Sequence, residues 1–358
     1  MRFRSKRMLA VVAVIAAFLI NGLPFSARAG ASDSGQQQKP QPQSPREPQS
    51  PREAPPRNQE PHDPDDSPIR LGTELVVLDV TVVDSANKPI MDLNQDQFQI
   101  FEDKIPQKVE FFTKEQVPVS LVFTIDTSGS MRAKLDTVIK ASTNLIKASR
   151  QGDEVAVIEF KEEPVLLEEF TNDINDAVYA LEGMVARSQT AMLDALYLAA
   201  DYAHKEGKNR RKAVIIVTDG EDKDSQYKLD EVVDHLREAD VQIYLIGFTN
   251  DLEKGGGWVF SKSPKDKAEG LLNKVASETG GRAFFPRELS EVHTIAQQIS
   301  TDLRTQYTIG YYPTNTRRDG TFRSVRVAVN GGNRRLVPRT RNGYTAPRDG
   351  QASSSTNK

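Results

Sequence analysis

The chain has 358 residues, 37% hydrophobic and 27% charged, enough for about two domains with a sizeable core. Its formal net charge of -3, with Lys and Arg spread along the chain, argues against a nucleic-acid partner. The lack of cysteine excludes disulfides, thiolate metal sites, a cysteine nucleophile and an acylated lipoprotein cysteine, while four histidines, His62, His204, His235 and His293, are too scattered to favour a zinc site or a histidine-based triad.

At the amino terminus, Arg2, Arg4, Lys6 and Arg7 precede an apolar run at 8–20, which Asn21, Gly22 and Pro24 interrupt before Ala27-Arg28-Ala29. Residues 1–29 therefore read as a secretory signal with a small-x-small cleavage site. Thirteen apolar residues fall short of the roughly twenty that span a bilayer. An uncleaved anchor is the alternative, and the one membrane contact expected. The bulk of the protein is expected outside the cytoplasm, secreted, periplasmic or at the cell envelope. Residues 30–71 are Gln, Pro, Ser and charge, with a short repeat at 43–48 and 49–54, and predict a disordered spacer.

From 72 to 117 the pattern has period two: Val76, Leu78, Val80 and Val82 alternate with their neighbours, and further apolar runs lie at 98–101 and 109–112. A matching segment at 306–347 holds a run at 307–312, Asp319-Gly320 as a hairpin turn, Val325, Val327 and Val329 in alternation, Asn330-Gly-Gly as another turn, and a last run at 334–341. Neither segment is large enough to bury a core alone, so the two are expected to pair into a small β-sandwich-like domain around an inserted region at 118–305. Residues 348–358 are expected to be a disordered tail.

Within 118–305, strand-like runs at 120–125, 154–160, 164–170, 212–218, 242–248 and 282–285 alternate with helix-like runs at 133–150, 175–185, 191–205, 228–239, 267–278 and 288–303. This predicts an α/β fold with a doubly wound, mostly parallel six-stranded sheet and helices on both faces. The connection at Glu163-Pro164 is too tight for a crossover, so one edge strand is expected to be antiparallel.

The first of these strands stops at Asp126, Ser128, Gly129 and Ser130, and the fourth at Thr218-Asp219-Gly220; between them Thr190 precedes a helix. Taken singly, each has a plain structural reading: Ser130 and Thr190 cap helices, while Asp126, Ser128 and Asp219-Gly220 shape turns. Taken together, Asp126, Ser128, Ser130, Thr190 and Asp219 offer five hard oxygen groups at strand carboxyl ends, where open α/β sheets bind ligands. Such a set suits magnesium or manganese better than zinc or copper. Direct contact with a partner is the other functional reading.

Asp126-x-Ser128-x-Ser130, Thr190 and Asp219 resemble the metal-ion-dependent adhesion site of von Willebrand factor type A (VWA) domains. Phe98-x-x-x-Glu102-Asp-x-x-Pro106-Gln, Tyr307-x-x-Gly-Tyr-Tyr-Pro and Gly343-Tyr-x-Ala-Pro347 look like the acidobacterial VWFA-related proteins, with Lys104 standing where a turn glycine is expected. The resemblance covers about residues 72–347 and implies a VWA/Rossmann-like fold. It also implies a magnesium or manganese ion, with calcium ranked behind them, bound directly by Ser128, Ser130 and Thr190 and through water by Asp126 and Asp219. A protein partner would present an Asp or Glu carboxylate to that ion, and the implied function is adhesion-type binding and not catalysis. Gln189 and Trp258 are candidate partner contacts, a packed lid being the alternative for Trp258. The competing readings are a structural or scaffolding envelope protein with a non-essential metal site and, more weakly, a metal-dependent hydrolase. Against the hydrolase, no Gly-x-x-x-x-Gly-Lys loop follows a strand, and no Gly-x-Ser-x-Gly elbow surrounds Ser128.

Overall fold

The computed structural model describes residues 74–187, 189–252 and 263–348. The expected signal, the spacer, the tail beyond Arg348 and Trp258 lie outside these residues. Arg348 itself, assigned to the tail from sequence, is held in a bridge to Asp319.

Strands β1 (Val76–Val83), β2 (Phe98–Glu102), β3 (Ile105–Gln107) and β4 (Phe111–Thr113) come first. The α/β region follows as β5 (Val119–Asp126), α1 (Leu135–Lys147), β6 (Glu154–Phe160), β7 (Pro164–Thr171), α2 (Ile174–Glu182), α3 (Met192–Glu206), β8 (Arg211–Thr218), α4 (Leu229–Ala239), β9 (Gln242–Gly247), α5 (Pro264–Glu278), β10 (Arg282–Phe284) and α6 (Glu291–Arg304). The chain closes with β11 (Gln306–Tyr311), β12 (Phe322–Val329), β13 (Val337–Arg339) and β14 (Gly343–Thr345).

The six-stranded sheet has the order β10-β9-β8-β5-β6-β7, parallel except for β7, which pairs antiparallel with β6. Strands β5, β8 and β9 are buried on both faces, which is why they read as continuous apolar runs instead of alternating ones. One face packs against α1, α2 and α6 through Val138, Leu181 and Ile295; the other packs against α3, α4 and α5 through Leu196, Leu236 and Leu272. From β5 the chain steps to β6 on one side and from β8 to β9 on the other, so the carboxyl ends of β5 and β8 flank the point where strand order reverses.

Each flanking sheet draws strands from before and after this region: β13-β1-β11-β4 and β14-β12-β2-β3. Their shared core holds Leu78, Val80, Ile100, Tyr307, Ile309 and Tyr311. One sequence expectation changes here. Asp319-Gly320 turns the chain, with Gly320 at φ +70° and the Asp319 carboxylate accepting the Thr321 N–H at 3.0 Å, but it makes no hairpin, because β11 and β12 lie in different sheets. The β2–β3 hairpin is closed by Asp103 and Lys104 at φ +47° and +69°, the left-handed pair of a two-residue loop. Lys104 thus occupies a position that favours glycine, and Lys104→Gly is expected to raise stability by about 1 kcal/mol in urea titrations.

The flanking sheets are tied to the amino ends of the parallel strands. Asp79 on β1 accepts from Arg210 at 2.9 Å and Arg211 at 3.1 Å, and Arg211 also donates to the carbonyl of Leu303 at 3.0 Å. Burial alone would raise the Asp79 carboxyl, but Arg211 and Arg210 together hold it below the ordinary value. Arg339 pairs with Asp302 at 2.7 Å, and the Gln306 amide donates to Gln242 at 2.8 Å. The carboxyl ends of β5 and β8 lie at the opposite end of the sheet.

Candidate metal centre

Strand β5 delivers Asp126 fully buried. Its Oδ1 accepts the Ser128 N–H at 2.9 Å, the turn-shaping bond expected of this residue, and its Oδ2 accepts the Thr218 hydroxyl at 2.8 Å. Ser130 does not cap α1. A single turn of 3-10 helix, Gly129–Met131, intervenes, and α1 begins five residues beyond Ser130 at Leu135. The exposed Ser130 turns its Oγ to within 3.1 Å of the Ser128 Oγ instead.

The parallel register places Ile125 beside Val217, so Asp126 stands next to Thr218 and Asp219 at the end of β8. Asp219 is buried, and one of its oxygens accepts the Glu221 N–H at 3.0 Å. The loop bearing Thr190 is sewn to its neighbours by main-chain bonds. Arg187 N–H donates to Thr127 at 2.8 Å, Ala191 N–H to Lys161 at 2.6 Å, and the Thr190 carbonyl accepts from Lys223 and Asp224 at 3.0 and 3.1 Å. Gln189 is exposed immediately before Thr190.

Thr190 does not cap α3 either. The first amides of that helix are satisfied from the loop after β8: Met192 donates to Asp222 at 2.9 Å, and Leu193 and Asp194 donate to the Ser225 hydroxyl at 3.0 and 3.2 Å. The Asp194 carboxylate returns the lock by accepting the N–H groups of Gln226 and Tyr227, each at 2.9 Å. Sequence reasoning missed Asp222 and Ser225, because a cap supplied about thirty residues away leaves no local spacing to read. Asp222→Ala is expected to lower stability by about 1–2 kcal/mol in thermal melts, the cost of losing a helix cap.

With α3 capped elsewhere, the Thr190 hydroxyl is buried without a hydrogen-bond partner among the described residues. Asp126 is also frustrated: burial, with the nearby Asp219 charge adding to it, pushes its carboxyl up to about 6 against the Ser128 and Thr218 hydrogen bonds. Among the described residues no group of three or more His, Asp or Glu side chains could hold a metal ion, so the fit of a cation here turns on whether hydroxyl oxygens stand with the two carboxylates. The groups present meet that requirement. They are hard oxygens, one is buried and unpartnered, and the two carboxylates repel each other.

Comparison with known proteins agrees with this architecture. The von Willebrand factor type A domain model matches residues 120–298, half of the chain. An uncharacterized protein of Synechocystis sp. (strain PCC 6803), sll0103, is 27% identical over 189 residues, covering 51% of this chain and 41% of the relative. The chain thus spans less than half the length of that curated relative. Among solved structures, a von Willebrand factor type A protein from Catenulispora acidiphila is similar at 15% identity and a TM-score of 0.44, over 70% of this chain and 74% of that one. The vWF domain of the type V pili tip protein Mfa5 from Porphyromonas gingivalis is similar at 14% identity and a TM-score of 0.41, over 52% and 97%. On the match across residues 120–298, the chain belongs to the von Willebrand factor type A domain family.

Proposed function

We propose that this protein is an extracytoplasmic, adhesion-type binding module that captures an aspartate or glutamate side chain of a protein partner at a magnesium site. Proteins of the VWA family often serve adhesion or protein interaction. The observation that carries the reading is the buried, unpartnered hydroxyl of Thr190 on a loop sewn to those bearing the crowded carboxylates of Asp126 and Asp219.

In this reading the hydroxyls of Ser128, Ser130 and Thr190 hold the ion directly, and Asp126 and Asp219 act through water. Magnesium, or manganese in its place, supplies a Lewis-acidic position at which a carboxylate binds. Asp126, clamped by the Ser128 amide and the Thr218 hydroxyl, keeps the first loop in shape whether or not a partner is present. Gln189, exposed beside Thr190, is assigned to the rim that adds specificity. Export rests on the signal pattern of residues 1–29 followed by the 30–71 spacer; among the described residues, no helix is long and apolar enough to cross a membrane.

Because Asp126 acts as a carboxylate, magnesium binding displaces its proton. Affinity should be flat above about pH 7 and fall about tenfold by pH 5, which titration calorimetry at the two pH values measures. In the metal-free protein the sign reverses. The folded state holds this proton more tightly than the unfolded one, so the group destabilises above about pH 6, and that penalty disappears as pH falls toward the ordinary 3.8.

The function is tested by a pull-down from envelope extract with the immobilised chain. Capture should need magnesium and disappear both with chelator and with Asp126→Ala. Capture that survives both treatments would sink the adhesion reading.

A further inference from the structure

At the amino end of the six-stranded sheet, far from Asp126, α5 and β10 face β13 across a crevice of about 480 Å³. Its walls are fixed. Thr279 bridges Arg341, Asn342 N–H donates to the Glu278 carbonyl at 3.1 Å, and Gly280, at φ +76°, lies so close to Thr340 that an added Cβ would stand 2.6 Å from the Thr340 carbonyl carbon. The volume is in the range of small-molecule sites. The lining is polar, with Asn273, Ser277, Asn342 and Thr340 beside Arg282 and Arg339.

Positive charge in this crevice exceeds its compensation. Arg282, on the edge strand, stacks its guanidinium 4.3 Å from the Phe284 ring and has no carboxylate partner among the described residues. Burial and the neighbouring Arg339 charge lower its pKa, only partly offset by the Asp302 carboxylate that Arg339 binds and by Tyr244, which marks a guanidinium partly desolvated next to a like charge. Arg339 is already paired with Asp302, and its Nε finds no acceptor among the described residues; nor does the buried Thr340 hydroxyl of the same lining. A cation removed from water without a counter-charge is costly, and a guanidinium presents paired donors matched to oxyanions.

The geometry points to a second binding site: the crevice takes a small molecule carrying a carboxylate or phosphate group, gripped by Arg282 with Arg339 behind it. Asn273, Ser277 and Asn342 supply hydrogen bonds to the rest of that molecule. This site is independent of the metal centre, and its ligand neither needs nor displaces magnesium.

The test uses the full chain, with citrate and inorganic phosphate as separate probes against sodium chloride at matched ionic strength. Calorimetry should show saturable binding of at least one anion, weakened about tenfold or more in Arg282→Gln. Binding of citrate alone assigns a carboxylate ligand, and of phosphate alone a phosphate ester. Arg282→Gln should melt no lower than wild type in anion-free buffer, since it removes an uncompensated charge. Ser277→Glu, at an exposed position of the lining, supplies a tethered carboxylate; it should raise the melting midpoint in anion-free buffer and weaken citrate binding. Midpoint shifts with both anions no larger than with chloride, or binding undiminished in Arg282→Gln, would overturn the assignment.

Discussion

Replacing Arg304 by alanine is expected to lower stability by about 3–5 kcal/mol, among the largest effects of any single change in the described structure. Arg304 is the last residue of α6 and forms a two-pronged ion pair with Asp153, one prong at 3.0 Å. Asp153 is wholly buried as a side chain and also accepts the N–H groups of Val119 at 2.9 Å and Arg150 at 2.7 Å. It therefore joins the end of α6, the start of β5 and the turn before β6. Removing the guanidinium leaves a buried carboxylate with two amide donors and no counter-charge.

The pH dependence separates this cause from simple loss of packing. Burial alone would raise the Asp153 carboxyl, but Arg304 and the two amides hold it below the ordinary value. In the wild type its contribution is therefore present above pH about 3.8 and is lost as pH falls below that value through the depressed one. In Arg304→Ala the carboxylate has lost its main support, so mild acid protonates it and the deficit shrinks. Urea unfolding at pH 7 and in mild acid should show a smaller gap between the two proteins in acid. An equal gap at both would assign the loss to packing.

Thr190→Val is expected to weaken magnesium binding by at least about tenfold while raising the stability of the metal-free protein by about 1 kcal/mol. The two effects share one cause. Valine keeps the shape of threonine and deletes a hydroxyl that is buried with no partner, so the metal-free protein loses an unsatisfied polar group. The same deletion removes one of the direct oxygen donors assigned to the ion. A hydroxyl that merely capped α3 would give the reverse, a destabilised protein with unchanged magnesium affinity. The capping of that helix by Asp222 and Ser225 makes the distinction sharp.

Much of the fold was open to sequence reading because local signals agree with the global structure. Strands β5, β8 and β9 are buried on both faces, so their apolar runs have clear ends, and the Glu163-Pro164 turn is too short for anything but an antiparallel neighbour. The boundaries that moved have physical causes. Apolar periodicity begins α1 at 133, but the 3-10 turn Gly129–Met131 and the hydrogen-bonded turn that follows it, with Lys134 N–H donating to the Met131 carbonyl at 2.9 Å, delay it to Leu135. Helix α5 begins at Pro264, three residues before the expected start at 267, and the signal was present: Ser263 caps it, Pro264 is its first residue and Asp266 completes the box.

The five residues proposed for the candidate centre were picked out from the sequence because strand-end carboxylates and hydroxyls stand out after apolar runs. Their supports were not. The Thr218 hydroxyl that fixes Asp126, the Asp222–Ser225 cap of α3 and the Arg304–Asp153 pair each join residues 29 to 151 apart in the chain, where neither spacing nor periodicity carries information. The Arg282 crevice was invisible for the same reason, being a property of two surfaces brought together by folding.

The most direct test of the central claim is a magnesium titration of wild type and Thr190→Val, followed by calorimetry at pH 7 and paired with melting curves in chelator. The account predicts saturable binding to the wild type, a loss of at least about tenfold in the variant, and a variant melting point in chelator at or above that of wild type. Equal magnesium binding by the two proteins, or none by the wild type, would contradict a metal centre built on Thr190.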